Sequence, residues 1–431
     1  MKNSLLDTNY IFKIFLLFLP FTQALTIHVG FPLKISELLL FVLIYISACK
    51  DYVDTKRKFF LNKNVIILFF VGWASLSFII NASWGYDYPL KDFPFRINRI
   101  LDSLLRLIYI YLVISAFLIA SSYFSKKKEL LNYWVIGAII SAIYAWYLFI
   151  SSGYNIPYIK LFGMEENPQS INGFIRCGTF KEGNYFGLYL LLSSIIALYL
   201  KQIKTAVFLF LTIITTFSTI SIISAVIFII FQIRKVFLKK TVLKYVIISI
   251  PIVVVSLILF MRTSFYNDYI IGKLSEPSNK LTINNISKVD RVMTARIAFK
   301  QGINNPFFGV GPFNYGLHYD EYNDFEKYVI NNSDWSIQFF ERKNKRAIAN
   351  NIYFEVWADY GIIGFVLFIS FLTYTLIIAF KNKNDIITGG VIVMLVSFNA
   401  FPSFIMLFCW VYLALPYAFY YKNSIMKTYE N

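Results

Sequence analysis

The sequence predicts an all-α, polytopic integral membrane protein with about twelve transmembrane helices. Three observations predict this. Of the 431 residues, 58% are hydrophobic and only 15% are charged, against roughly 25% charged in soluble domains. The apolar residues fall in blocks of about 20, the length that crosses a bilayer as a helix. Backbone groups in lipid must be satisfied within their own segment, so such blocks are helices. The short alternating segments of a membrane β-barrel are not seen in the sequence.

In chain order the expected spans are 11–29, 35–49, 64–82, 100–121, 131–151, 185–200, 205–217, 219–233, 245–261, 361–380, 386–402 and 404–420. The first follows Met1 to Tyr10, which carries Lys2 and Asp7. No small-residue cleavage site follows it, so it reads as an uncleaved span and not as a signal peptide. The seventh and eighth are separate helices because Thr215, Thr216 and Ser218 offer a polar turn between them.

Orientation follows from Lys and Arg in the short loops. One side comprises 49–64, 125–129, 201–204, 234–240 and 381–384, with both termini and the adjoining boundary residues. It holds 21 Lys and Arg against 6 Asp and Glu, and the other side holds 20 against 18. The first side is therefore cytoplasmic, and both termini lie there. The net charge of +17 is then a consequence of topology. Nucleic-acid binding would need a basic soluble face, and the sequence has none. The chain reads as a single transmembrane domain, 1–431, with two larger outward segments at 152–184 and 262–360.

Cys49, Cys177 and Cys409 are scattered, which indicates neither a disulfide framework nor a zinc site. They read as small apolar fillers. The two histidines have no paired ligand spacing, so no metal and no cofactor is expected.

The chemistry concentrates in the outward segments. RCGTFKEGNYFG (176–187) closes the first and leads into a span. In the second, KVDRVMTARIAFKQGINNPFFGVGPFNYG (288–316) begins with an amphipathic helix over 288–301, on the spacing of Val289, Val292, Met293 and Ile297. Arg291 and Arg296 lie on it, and Asn304, Asn305 and Pro306 end it. Gly309, Gly311 and Gly316 then make a turn-rich loop. That loop lacks the Gly-Lys-Ser/Thr of a phosphate-binding P-loop. Arg176 is followed by ten residues and then Gly187, and Arg291 by ten residues and then Gly302. Within the spans, Arg106 and Asp102 fall in the outer half of one helix. Intramembrane charges mark function or pair with one another.

These stretches resemble the bacterial O-antigen polymerases, within the wider O-antigen ligase and polymerase superfamily. RCGTFKEGNYFGLYLLLS (176–193) is similar to the family's Arg-x-x-Gly-Thr-Phe pattern with its acid, Asn and apolar helix. DRVMTARIAFKQGINNPFFGVGPFNYG (290–316) resembles its Arg-bearing helix, Pro and Gly-x-Gly loop. ANNIYFEVWADYGIIGFVLF (349–368) resembles its entry into the span after the large loop, and GFPLKISELLLF (30–41) is also similar. The resemblance extends over the whole layout and is specific in these patches. There are two departures. Many relatives, the ligases among them, begin the third stretch with His-Asn, where this chain has Asn350-Asn351. In TTFSTISIISAV (215–226), an apolar residue stands where relatives often carry Arg after Ser.

The resemblance implies transfer of a growing glycan from an undecaprenyl diphosphate carrier to another lipid-linked repeat unit, at the periplasmic face of the inner membrane. It implies membrane lipid as surroundings and a flippase and a chain-length regulator as partners. Breaking the bond at sugar C1 leaves negative charge on a diphosphate, and fixed positive charge there lowers the barrier. Arginine suits this because its planar fork pairs with phosphate oxygens and stays charged. The expected catalytic residues are Arg176, Arg291, Arg296 and His318, the last as a general base. Lys181, Glu182, Gly187, Asp290, Gly302, Asn350 and Asn351 are expected to line the substrate site. An O-antigen ligase is the nearest alternative, disfavoured by Asn350. A lipid-linked oligosaccharide flippase is the alternative of another class, but transporters show repeated halves and midplane sites.

Overall fold

The computed structural model describes residues 8–28, 32–51, 65–82, 99–164, 168–234, 262, 286–323 and 347–430. Among these residues lie twelve α-helices: α1 (Thr8–Phe18), α2 (Ile35–Asp51), α3 (Val65–Ala82), α4 (Arg99–Lys126), α5 (Leu131–Gly153), α6 (Gly183–Tyr199), α7 (Ile203–Thr212), α8 (Thr219–Ile233), α9 (Ile286–Asn304), α10 (Ile352–Lys381), α11 (Asp385–Ser397) and α12 (Leu407–Glu430). Two short antiparallel pairs complete them, β1 (Thr26–His28) with β2 (Pro32–Lys34), and β3 (Ser170–Ile171) with β4 (Phe174–Ile175).

Eleven of the twelve expected spans coincide at least in part with one of these helices, and 245–261 lies outside the described residues. Four helical stretches are long and apolar enough to cross a membrane: Val65–Ala82, Ile100–Lys126, Lys128–Gly153 and Ile352–Lys381. Large apolar side chains such as Phe69, Ile79, Ile143 and Ile230 are exposed on the bundle surface, as a protein solvated by lipid requires. The remaining helix, α9, covers the stretch expected to be helical at 288–301; Val289, Met293 and Ile297 of the expected apolar face are buried, whereas Val292 is exposed.

Two boundaries carry lessons. The first helix stops at Phe18, well short of residue 29. Pro20 follows, and the residue before a proline is biased away from helical backbone. The break between α7 and α8 falls at the expected polar turn. Phe217 takes left-handed backbone (φ 46°), and Ser218 caps α8 by accepting from the Ser221 N–H.

The centre of the bundle is α6. Thirteen of its residues are buried, from Gly183 to Ala197, and its sequence is apolar all round, the pattern of a helix enclosed on every side. It packs against α5, α7, α8 and α11. Aromatic contacts fill the space around it. Trp134 stacks on Tyr189 at 5.6 Å, and Phe180 and Phe408 close on Tyr189 at 5.4 and 5.5 Å. A neighbouring cluster of Phe117, Phe371, Trp410 and Tyr417 joins α4, α10 and α12.

The loop at 306–311 is joined to the bundle at a break in α10. Gly361 has φ 65° and ψ −167°, so the regular ladder fails there. The Ile362 N–H turns to the Pro306 carbonyl at 2.7 Å. The carbonyls of Ala358 and Asp359 then accept from the N–H groups of Val310 and Gly311 at 2.9 and 3.0 Å, and that of Tyr360 accepts from the Trp73 indole at 2.9 Å. The Gly-Val-Gly loop thus replaces helical hydrogen bonds, as buried backbone groups demand. Side chains do not fit at the two glycines of this contact. A Cβ on Gly361 would lie 2.3 Å from the Phe307 oxygen, and one on Gly309 2.4 Å from the Asp359 carbonyl carbon.

Candidate active site

A hairpin before α6 delivers Arg176. Asn172 and Gly173 both have positive φ, 49° and 83°, the signature of a type I′ turn between paired strands. The hairpin carries β3 and β4 and extends to the Arg176 N–H, which donates to the Gln169 carbonyl at 3.0 Å. The Gln169 side chain reaches the start of α6 and accepts from the Gly183 N–H at 2.8 Å. Thr179 anchors the other side of the loop, donating to the Pro20 carbonyl at 2.7 Å. Arg176 is thereby set at the N-terminal end of the buried central helix.

Its side chain is only 9% exposed. Arg176 Nη2 donates to Asn184 Oδ1 at 3.2 Å, and the Ser218 hydroxyl donates to the same oxygen at 3.0 Å. Gly183 leaves room for the guanidinium, since a Cβ there would lie 2.4 Å from Arg176 Nε and 2.7 Å from the Thr216 carbonyl oxygen. Helix propensity alone predicts that Gly183→Ala adds about 1 kcal/mol of stability. We expect the reverse, a lower melting temperature in detergent with Arg176 displaced. A rise in melting temperature would show that the guanidinium is not held over this glycine.

Glu182 precedes α6 but does not cap it: its side chain makes no capping hydrogen bond, and the Gly183 N–H already belongs to Gln169. The carboxylate instead accepts from the Tyr185 hydroxyl at 3.3 Å. Burial pushes its pKa above the usual carboxylate range, while the Tyr185 hydrogen bond and the charges of Lys181, Arg291 and Arg176 pull it back. The two arginines, far apart in the chain, thus both favour the charged form of one carboxylate. Arg291 lies on α9 and is half-buried. Beside it, Asp290 accepts from the Asn350 amide at 2.8 Å. Asn351 caps α10, accepting from the N–H groups of Tyr353 and Phe354, and donates to the Asn399 carbonyl at 3.2 Å.

Behind this group sits a buried ion pair between Arg106 on α4 and Glu355 on α10. The Arg106 guanidinium also lies over the rings of Phe313 and Phe404, at 4.7 and 5.3 Å from their centroids. Phe401, from the same connection between α11 and α12, meets the Tyr185 ring at 5.4 Å. Four stretches of chain therefore converge at one end of α6: 176–185, the segment through Arg291, the 306–316 loop with the start of α10, and 398–406.

The expected residues divide. Arg176, Lys181, Glu182 and Arg291 come together, with Asp290 and Asn350 adjoining. Arg296 lies five residues beyond Arg291, roughly 140° further around a helix of 3.6 residues per turn. His318 pairs with Glu321 at 2.9 Å on the turn after the glycine loop, apart from these contacts. Gly187 and Gly302 are sites of close packing. A Cβ on Gly187 would meet Ser221 Oγ at 2.3 Å, and one on Gly302 would meet the Trp357 indole at 1.8 Å. Tyr185, Gln169 and Glu355 escaped the sequence reading. Glu355 had a signal, as a carboxylate six residues before the span expected at 361–380.

Residues 204–369 match the family described as O-antigen ligase. That match supports membership of the O-antigen ligase and polymerase superfamily. No curated protein matches it. The matched stretch holds α7 to α9 and the first half of α10, and with them Arg291, Asn350 and Glu355. Arg176 and Glu182 lie before it and reach the same place through the fold. O-antigen ligase and polymerase family members are glycosyltransferase-like enzymes acting on lipid-linked oligosaccharide. For a membrane enzyme of this family, converging cations beside a buried carboxylate form an arrangement able to hold an anionic leaving group.

Proposed function

We propose that the protein is the polymerase of this superfamily. It joins undecaprenyl-diphosphate-linked oligosaccharide repeat units at the periplasmic face of the inner membrane, building O-antigen or a related surface polysaccharide. The observation that carries this reading is the buried Arg176 guanidinium held over Gly183 at the start of α6, with Asn184 as its partner and Lys181 and Glu182 beside it. Two guanidinium groups with Lys181 at hand suit a departing lipid diphosphate, whose charge they stabilise without a general acid. Both termini are cytoplasmic in this reading. A flippase supplies the repeat units and a chain-length regulator limits the product.

Polymerase is favoured over ligase by position 350. An asparagine amide takes up no proton at neutral pH, and this one is committed to Asp290. The test is the surface-glycan banding of a strain lacking the gene, beside the complemented strain. We expect the ladder to collapse to a core bearing a single repeat unit. Long glycan left on the outward-facing carrier would mean a ligase, and single units trapped inside would mean a flippase.

A further inference from the structure

The geometry points to Glu182 as the general base that takes the proton from the acceptor sugar hydroxyl. The assignment rests on the polymerase reading. In that reaction the acceptor O–H bond breaks and its proton passes to the Glu182 carboxylate. The acceptor oxygen forms a bond to C1 of the donor sugar. The bond from C1 to the phosphate oxygen breaks, and its electron pair leaves with the lipid diphosphate.

The base must sit within a few ångströms of the leaving-group site, because both reacting oxygens flank one carbon. Glu182 is the carboxylate at that place: it adjoins Gly183, over which the Arg176 guanidinium lies, a Cβ there falling 2.4 Å from Arg176 Nε. Its neighbours in charge are Arg176 and Lys181 on its own loop, Arg291 on α9 and Tyr185 on α6. The other candidates nearby are engaged. Glu355 is ion-paired with Arg106. Asp359 accepts from the N–H groups of Phe313 and Tyr315 at 2.8 and 3.1 Å. Asp290 is held by Asn350, and His318 by Glu321. Glu182 is bound least: Tyr185 donates one hydrogen bond to Oε1, and the carboxylate leaves its helix N-terminus uncapped.

A carboxylate inside a diphosphate site also needs a reason, since it repels the ligand. General-base work supplies one. The arriving diphosphate adds negative charge beside a carboxyl that burial already makes more basic. Both effects raise its proton affinity, which makes it a stronger base.

The experiment uses the full-length protein in lipid nanodiscs with the undecaprenyl-diphosphate-linked repeat unit of its host. It compares the wild type, Glu182→Gln and Glu182→Asp by polymer formed, lipid diphosphate released and donor KM. We expect Glu182→Gln to lose about a hundredfold or more in kcat, the usual range for a general base. Its donor KM should stay level or fall, because a repelling charge is gone, and the acid limb of its kcat–pH profile should vanish. Glu182→Asp should retain part of the rate and that limb. Unchanged kcat in Glu182→Gln, or a raised KM at unchanged kcat, would overturn the assignment; the raised KM would instead mark Glu182 as orienting the arginines. Unaltered donor KM in the slow variant also certifies that it is folded. If the wild type itself elongates nothing, the polymerase reading falls and the assignment falls with it.

Discussion

Arg176→Ala and Arg291→Ala should each abolish or shorten the polymer, with protein levels in the membrane unchanged. A hydrogen bond to a charged group contributes about 1.5–3 kcal/mol. If it is made to the diphosphate as charge develops, its loss slows kcat/KM by roughly ten- to two-hundredfold per contact. A chain that must repeat the step many times shortens steeply under such a loss. Lysine does not substitute, because an ammonium cannot present the planar fork that grips two phosphate oxygens. Arg176→Lys should therefore remain short-chained despite keeping its charge. The burial of Arg176 strengthens the expectation, since a guanidinium removed from most water acts through a less screened field. Normal chain length in both alanine variants, read by glycan banding beside immunoblots of the protein, would remove these arginines from the site.

Glu355→Ala or Arg106→Ala alone should destabilise the protein severely. Both partners of this ion pair are almost fully buried, at 4% and 3% side-chain exposure. Removing one strands the other charge in a medium that cannot solvate it, at a cost of about 3–5 kcal/mol. The phenylalanine rings of Phe313 and Phe404 over Arg106 offer it no counter-charge. Replacing both partners together, as Arg106→Met with Glu355→Leu, should restore much of the melting temperature, because no orphaned charge is then left. Thermal unfolding in detergent of the two single variants and the double variant measures this directly. Additive losses in the double variant would show that the two residues do not act as a pair.

The site was partly legible in the chain. Arg176, Lys181 and Glu182 are close together in one loop before a span, and the arginine-bearing helix was readable from its apolar spacing, so these residues were among the candidates that the chain itself offered. Their meeting was not legible. Among the described residues three helices, α6 to α8, lie between Arg176 and the helix of Arg291, and a hairpin turn at Asn172-Gly173 sets the first while the docking of α9 on α10 sets the second. Gly187 and Gly302 share the Arg-ten-Gly figure, yet each serves the packing of its own helix, against Ser221 and Trp357. Equal spacing along the chain does not imply equal surroundings.

The sequence by itself determined the membrane class, the position of the helices and the breaks between most of them. These are local matters. A run of about 20 apolar residues must be a helix in lipid, Pro20 stops one early, and Ser218 starts another. Tertiary structure alone decided which charges meet. Arg106 lay beside Asp102 in the chain but pairs with Glu355 across the bundle, and the Gly-Val-Gly loop finds its partners in carbonyls that only the break at Gly361 makes available. The reason is physical. Helix formation satisfies hydrogen bonds within a segment and can be read from it, whereas a buried charge or a freed carbonyl is satisfied by whatever the packing of distant segments brings within reach.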